Sequence, residues 1–174
     1  MAIMPIRLYG DPILRKKSAP VPEVTDAIRA LAADMIDTLY DASGVGLAAP
    51  QVGRSIRMLV ADASHHDGGA GPRIFVNPEI VRSWGEWVFD EGCLSVPGVS
   101  AEIVRPEGIL VRFQDETGAR REEEFHRLWS RVLQHETDHL AGKLFVDYLS
   151  PMRRALVLRK LKELARESKA RMPL

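Results

Sequence analysis

The chain has 174 residues, 45% of them hydrophobic, which is enough for one ordinary core and excludes a disordered polymer. Twenty-four basic residues balance twenty-four acidic ones, a neutrality that argues against nucleic acid, DNA included, as the principal partner. A single cysteine allows no internal disulfide and suits a reducing compartment. With no signal-like leader and no apolar run near the roughly 20 residues of a membrane span, a cytoplasmic protein without a membrane partner is expected.

Asp11-Pro12-Ile13-Leu14 opens a short turn or helix, and residues 18–22 form a Pro-punctuated loop. Thr25 has the chemistry of an N-cap. Behind it Ile28, Leu31, Met35 and Leu39 recur at helical spacing and predict a helix ending near Ser43. Residues 44–51 (GVGLAAPQ) read as a glycine-rich loop. They lack the Lys-Ser/Thr pair of a phosphate-binding loop.

Strands are predicted over 57–61, 74–77, 102–105, 109–114 and 121–125, the last two joined by a turn at Glu116-Thr117-Gly118. Residues 64–72, with His65 and His66, read as a loop. Those two histidines and His126 receive no role. A second helix covers 128–140 and stops at Gly142, and Ser150-Pro151 starts a third running to about Ala170. The expected fold is α+β, with small mixed or antiparallel sheets around one central helix and a C-terminal helix.

That central helix carries His135-Glu136-Thr137-Asp138-His139, an HExxH pattern. Positions i and i+4 share a helix face, so both imidazoles reach one metal, and Glu136 lies where its carboxylate can take a proton from an attacking water. The same pattern also arises by chance on solvated helices. Leu128, Val132, Leu133 and Leu140 favour the metal reading, because they make this helix amphipathic and partly buried.

A catalytic site of this type takes three protein ligands and keeps one position open. The position that supplies a third histidine in metzincins is Phe145 here. Glu163 or Glu167, on the terminal helix, would serve in a thermolysin-like zinc endopeptidase. Cys93, in Glu91-Gly92-Cys93-Leu94-Ser95, completes a His₂Cys set instead; otherwise it is a small buried hydrophobe.

Taken together, GVGLAAPQ at 44–51, EGCLS at 91–95 and QHETDHLAG at 134–142 resemble the peptide deformylases, and the likeness runs over nearly the whole chain. The resemblance implies Cys93, His135 and His139 as metal ligands and Glu136 as general acid/base. It implies Gln51 and the backbone N–H of Leu94 as donors to the oxyanion, a role suited to neutral donors. Substrate contacts fall to Val45, Gly46 and Gly92, and a methionine pocket to Val45, Phe89, Leu128 and Val132. The implied reaction is hydrolysis of the N-formyl group from the formylmethionine of newly made polypeptides. The implied metal is iron(II), replaceable by zinc, nickel or cobalt. Residues 1–150 would then be the catalytic domain, and 151–171 a helix packed on it or extending from it.

Three departures from the family pattern stand out: Ser100 where arginine is common, Val104 in place of proline before Arg105, and Trp129-Ser130 where small or aliphatic residues are frequent. From Met152 to Arg171, eight basic residues face two acidic ones, a net charge of +6. Leu158, Leu161 and Ala165 are expected to pack one side of that helix. The rest is a solvated face or an electrostatic dock on the ribosome.

Overall fold

The computed structural model describes residues 2–64, 69 and 71–171. His65 and His66 lie outside the described residues. Helix α1 (Asp26–Asp41) starts where the Thr25 hydroxyl accepts the backbone N–H of Ile28 at 3.4 Å, and it buries Met35 and Leu39. Five strands form one antiparallel sheet: β1 (Gly46–Ala48), β2 (Met58–Ala61), β3 (Arg73–Trp84), β6 (Gly108–Gln114) and β7 (Arg120–His126), paired in that order. Strands β4 (Trp87–Gly92) and β5 (Ser100–Arg105) pair separately, with Cα register Phe89 to Ile103 and Gly92 to Ser100.

The main sheet is buried on both faces where it meets the helices. On one face Met58, Val60 and Leu47 pack against Met35 and Leu39 of α1. On the other, Leu59, Ala61, Phe75 and Ile109 pack against Val132, Leu133 and Leu140 of helix α2 (Arg127–Leu140). Strand β2, buried at every position, therefore reads as a continuous apolar run with no alternation. Helix α2 ends where Gly142 takes φ +75°, a conformation that favours glycine.

Helix α3 (Pro151–Arg171) seats Leu161 and Leu164 on Leu144, Phe145 and Val146. Ser150 Oγ accepts the Arg153 N–H at 3.3 Å, as expected of a cap. Leu158, expected on the packed side, is 42% exposed, and Leu164 takes the buried place instead. None of the described helices is long and apolar enough to cross a membrane.

Three other expectations need correction. The glycine-rich segment 44–51 is not simply a loop: it contains β1 and most of a 3-10 turn, Ala49–Val52. Strand β3 is far longer than 74–77. Asn77 (φ +51°) and Pro78 look like terminators, but the pairing with β6 skips register between Val76 and Glu79 and then resumes. Strand β4 is absent from the predicted strands, because its acidic, half-exposed residues show no clean alternation.

Candidate metal centre and active site

Helix α2 presents His135 and His139 one turn apart on a face buried against the sheet, at 8% and 1% exposure. Cys93 follows β4 directly, in a turn closed by the Val96 N–H donating to the Cys93 carbonyl at 2.9 Å. One ligand atom from each of Cys93, His135 and His139 lies within 4.8 Å of the others, and Cys93 Sγ is 3.3 Å from His139 Nε2. Among the described residues this is the only such group of three. Glu163, the alternative third ligand, pairs with Arg159 at 3.3 Å on α3, and Glu167 pairs with Arg171 there. Neither terminal-helix carboxylate belongs to the group of three.

The donor set suits a divalent metal, since thiolate and two imidazoles select borderline-soft cations. His135 is held for that role. Its Nδ1–H donates to Glu91 Oε1 at 2.8 Å, which leaves the Nε2 lone pair to face Cys93 and His139. Burial opposes charge on His135, yet the Cys93 thiol and the Glu91 carboxylate hold its pKa well above the ordinary value. Burial and the neighbouring His135 push His139 well below it.

Glu91 joins the two layers. It accepts from Arg105 Nε at 2.6 Å and Nη2 at 3.0 Å, from Arg131 Nη1 at 2.6 Å, and from His135. Burial alone would raise its pKa, but His135 and Arg105 bring it down to about 2. Arg105 in turn donates to Asp138 at 2.8 Å, and Asp138 accepts the Tyr148 hydroxyl at 2.9 Å.

Glu136 is 4% exposed, and its Oε2 has no hydrogen-bond partner. Burial, reinforced by the Glu91 charge and opposed by His135, pushes its pKa up to about 7. Gln51 is oriented at both ends: Oε1 accepts the Ala48 N–H at 2.8 Å, while Nε2 lies 3.6 Å from Cys93 Sγ and 3.2 Å from Ser95 Oγ. A cavity of about 390 Å³ opens here, lined by Val45, Gly46, Gln51, Phe89, Gly92, Cys93, Leu94, Leu128, Val132, His135 and Glu136. His139 lies buried behind them. The structure therefore brings together the residues singled out from sequence.

The sequence profile of the polypeptide deformylase family matches residues 3–155. The chain belongs to that family. The peptide deformylase of Mesorhizobium japonicum is 45% identical over 96% of each chain, and that of Bartonella quintana is 46% identical over 98% of this chain and 97% of its own. A crystal structure of a peptide deformylase from Legionella pneumophila superposes with a TM-score of 0.87 at 46% identity, covering 99% of this chain and 100% of that one. Peptide deformylases are metal-dependent hydrolases, and the Cys-His-His group is consistent with that chemistry.

Two residues around this group are not among the candidates that the sequence offers. Glu91 was read only as part of a motif, although a carboxylate two residues before a ligand cysteine is a natural partner for a ligand histidine. Arg131 was passed over altogether. It is 3% exposed, donates to Glu91, to the Ile103 carbonyl at 2.9 Å and to the Trp87 carbonyl, and so ties β4 and β5 to α2. The signal was its place one turn before His135, a charge on the ligand-bearing face. Of the departures, Ser100 pairs in register with Gly92, which lines the cavity, and Val104 is exposed.

Proposed function

We propose that Glu136, Gln51 and the Leu94 N–H carry the chemistry, and that Cys93, His135 and His139 hold the metal, in an enzyme that removes the N-formyl group from newly made polypeptides and releases formate. The observation that carries this reading is the buried, unpartnered Glu136 Oε2 beside a compact Cys-His-His group in one cavity. A cation there would supply Lewis acidity, polarising the formyl carbonyl and lowering the pKa of water.

The remaining steps belong to the protein. Strand β1 is an edge strand, so the substrate main chain can add to it beside Val45 and Gly46, opposite Gly92. Val45, Phe89, Leu128 and Val132 offer apolar walls for methionine. Gln51 Nε2 and the Leu94 N–H donate to the formyl oxygen as negative charge develops on it. Glu136 takes a proton from the attacking water and delivers it to the leaving amine. A carboxyl group with its pKa near 7 is matched to both transfers.

The physiological metal in this reading is iron(II), with nickel, cobalt or zinc as replacements, and the setting is the cytoplasm. Residues 1–150 form the catalytic domain, with 151–171 as an added helix. The test is protein purified without oxygen and reconstituted with each metal. One metal per chain is expected, lost in Cys93→Ala, with the iron form active and fading in air. A chain that binds no metal stoichiometrically would contradict the assignment.

Ribosome docking by α3 is supported by its charge of +6 and by exposed Arg159, Lys162 and Arg166 opposite the buried Leu161 and Leu164. Reversing those three charges to glutamate should abolish co-sedimentation with ribosomes and leave the packed face intact. Unchanged co-sedimentation would refute the dock.

A further inference from the structure

Residues 7–10 do not line the cavity, yet they hold both segments that supply the oxyanion donors. The Arg7 N–H donates to the Gln51 carbonyl at 2.7 Å, and the Tyr9 N–H donates to the Ser95 carbonyl at 2.7 Å. Gln51 carries one oxyanion donor on its side chain, and Ser95 directly follows Leu94, which carries the other. Two residues of chain reach at most about 7 Å, so this segment limits how far apart the two turns can stand. Between those turns, Gln51 Nε2 gives one N–H to Ser95 Oγ at 3.2 Å and keeps its second for the formyl oxygen.

Both ends of the segment are themselves fixed. The Arg7 guanidinium lies over Gly53, which closes the Gln51 turn, and a Cβ on Gly53 would stand 3.1 Å from its Nε. Arg7 Nη1 also pairs with Asp11 at 3.6 Å, and Leu8 is buried. At the other end Gly10 takes φ +100°, and a Cβ there would stand 2.7 Å from Ala165 Cα. The segment thus rests directly on the backbone of α3. That stretch of α3 is anchored in turn, since Leu161 and Leu164 share a core cluster with Val96 and Val99, just beyond Leu94.

We propose that Arg7 and Tyr9 are positioning residues of the reaction: their backbone N–H groups set the spacing between the Gln51 amide and the Leu94 N–H, and α3 backs them through the Gly10–Ala165 contact. Two donors aimed at one oxygen must hold their geometry to within about 0.5 Å. Neither donor can do that alone, because each sits on its own short turn. The brace joins the turns from behind, where it leaves the substrate's path free. The proposal rests on the deformylase reading and adds to it residues outside the cavity.

The test measures kcat, KM and metal content with formyl-Met-Ala-Ser in two variants. Arg7→Pro lacks the N–H that reaches Gln51, and Gly10→Ala drives a methyl against α3. Each should lose about tenfold in kcat while KM stays within about twofold, because the donors act on charge that develops only in the transition state. Metal should be retained in both. Combined with Gln51→Ala, Arg7→Pro should cost less than about twofold more, since the amide it places is gone. Unchanged kcat in both folded variants overturns the brace. So does a loss of about tenfold that persists beside Gln51→Ala, the mark of a general loosening. Where either variant does not fold, Ala165→Leu, which crowds Gly10 from the helix side, takes its place under the same criteria. Absence of formate release from the unmodified, metal-loaded protein overturns the deformylase reading, and the brace falls with it.

Discussion

A Cβ placed on Gly46 would lie 2.6 Å from Glu136 Oε1 and 2.7 Å from Val132 Cγ1, so the backbone of β1 rests directly on the carboxylate assigned to proton transfer. No side chain fits between them. Gly46→Ala must therefore move Glu136, the helix or the edge strand. A displacement of about 1 Å at such a site costs about 100-fold in rate. Formate release should fall by that order, while circular dichroism and metal content stay near those of the unmodified protein. Activity within threefold would show that Glu136 does not need this placement.

Glu91 faces three cationic or potentially cationic groups in a buried site, which makes it more than a support for His135. Glu91→Gln keeps the shape but leaves Arg105 and Arg131 buried with too little negative charge. A loss of about 3 kcal/mol is expected in urea unfolding. Metal affinity should drop about 10–100-fold in chelator competition, since the partner of a ligand histidine is altered. Arg131→Met should cost less, because Arg105 still meets Glu91 through two nitrogens. The reverse order would show that Arg131 is the main partner of this carboxylate.

Much of this arrangement is legible in the sequence, because helical chemistry is local. The i, i+4 spacing of His135 and His139 fixes their common face, and the stripe from Ile28 to Leu39 does the same for α1. Cys93 is legible as the remaining soft donor for a His₂Cys set, and the family resemblance favours it over Glu163 and Glu167. Strand β4, the bulge at Asn77-Pro78 and the Arg131 clamp were not legible. Each depends on partners far along the chain, such as Ile103 for Phe89 and Arg112 for Glu79.

The rival reading as a thermolysin-like peptidase makes an opposite forecast for two substitutions. Here Cys93→Ala should lose the metal and Glu163→Ala should keep both metal and formate release. Metal analysis after gel filtration separates the two. Metal retained without Cys93 and lost without Glu163 would restore the peptidase.

Asp147 anchors the segment before α3. It accepts from Arg15 Nη1 at 2.6 Å and Nη2 at 3.0 Å, and from the Leu144 N–H at 3.0 Å. Burial would raise its pKa, but Arg15 and the Leu144 N–H hold it below the usual 3.8. A depressed carboxyl stabilises the fold above its unfolded pKa, and the gain disappears as pH falls through the folded value. Asp147→Asn should therefore cost about 1 kcal/mol at pH 7 and at pH 5. The gap should close as the pH drops below 3.8. A gap that stays constant down to acid unfolding would mean that shape, not charge, makes the contribution.

The central claim is that Glu136 moves the proton while Cys93, His135 and His139 hold the metal, and formate release from a formyl-Met tripeptide tests it most directly. Metal-loaded protein should release formate rapidly and should not release acetate from the acetylated peptide. Glu136→Ala should be folded, fully metal-loaded and slower by at least about 1,000-fold. A folded, metal-loaded Glu136→Ala protein that still releases formate at near the original rate would contradict the account.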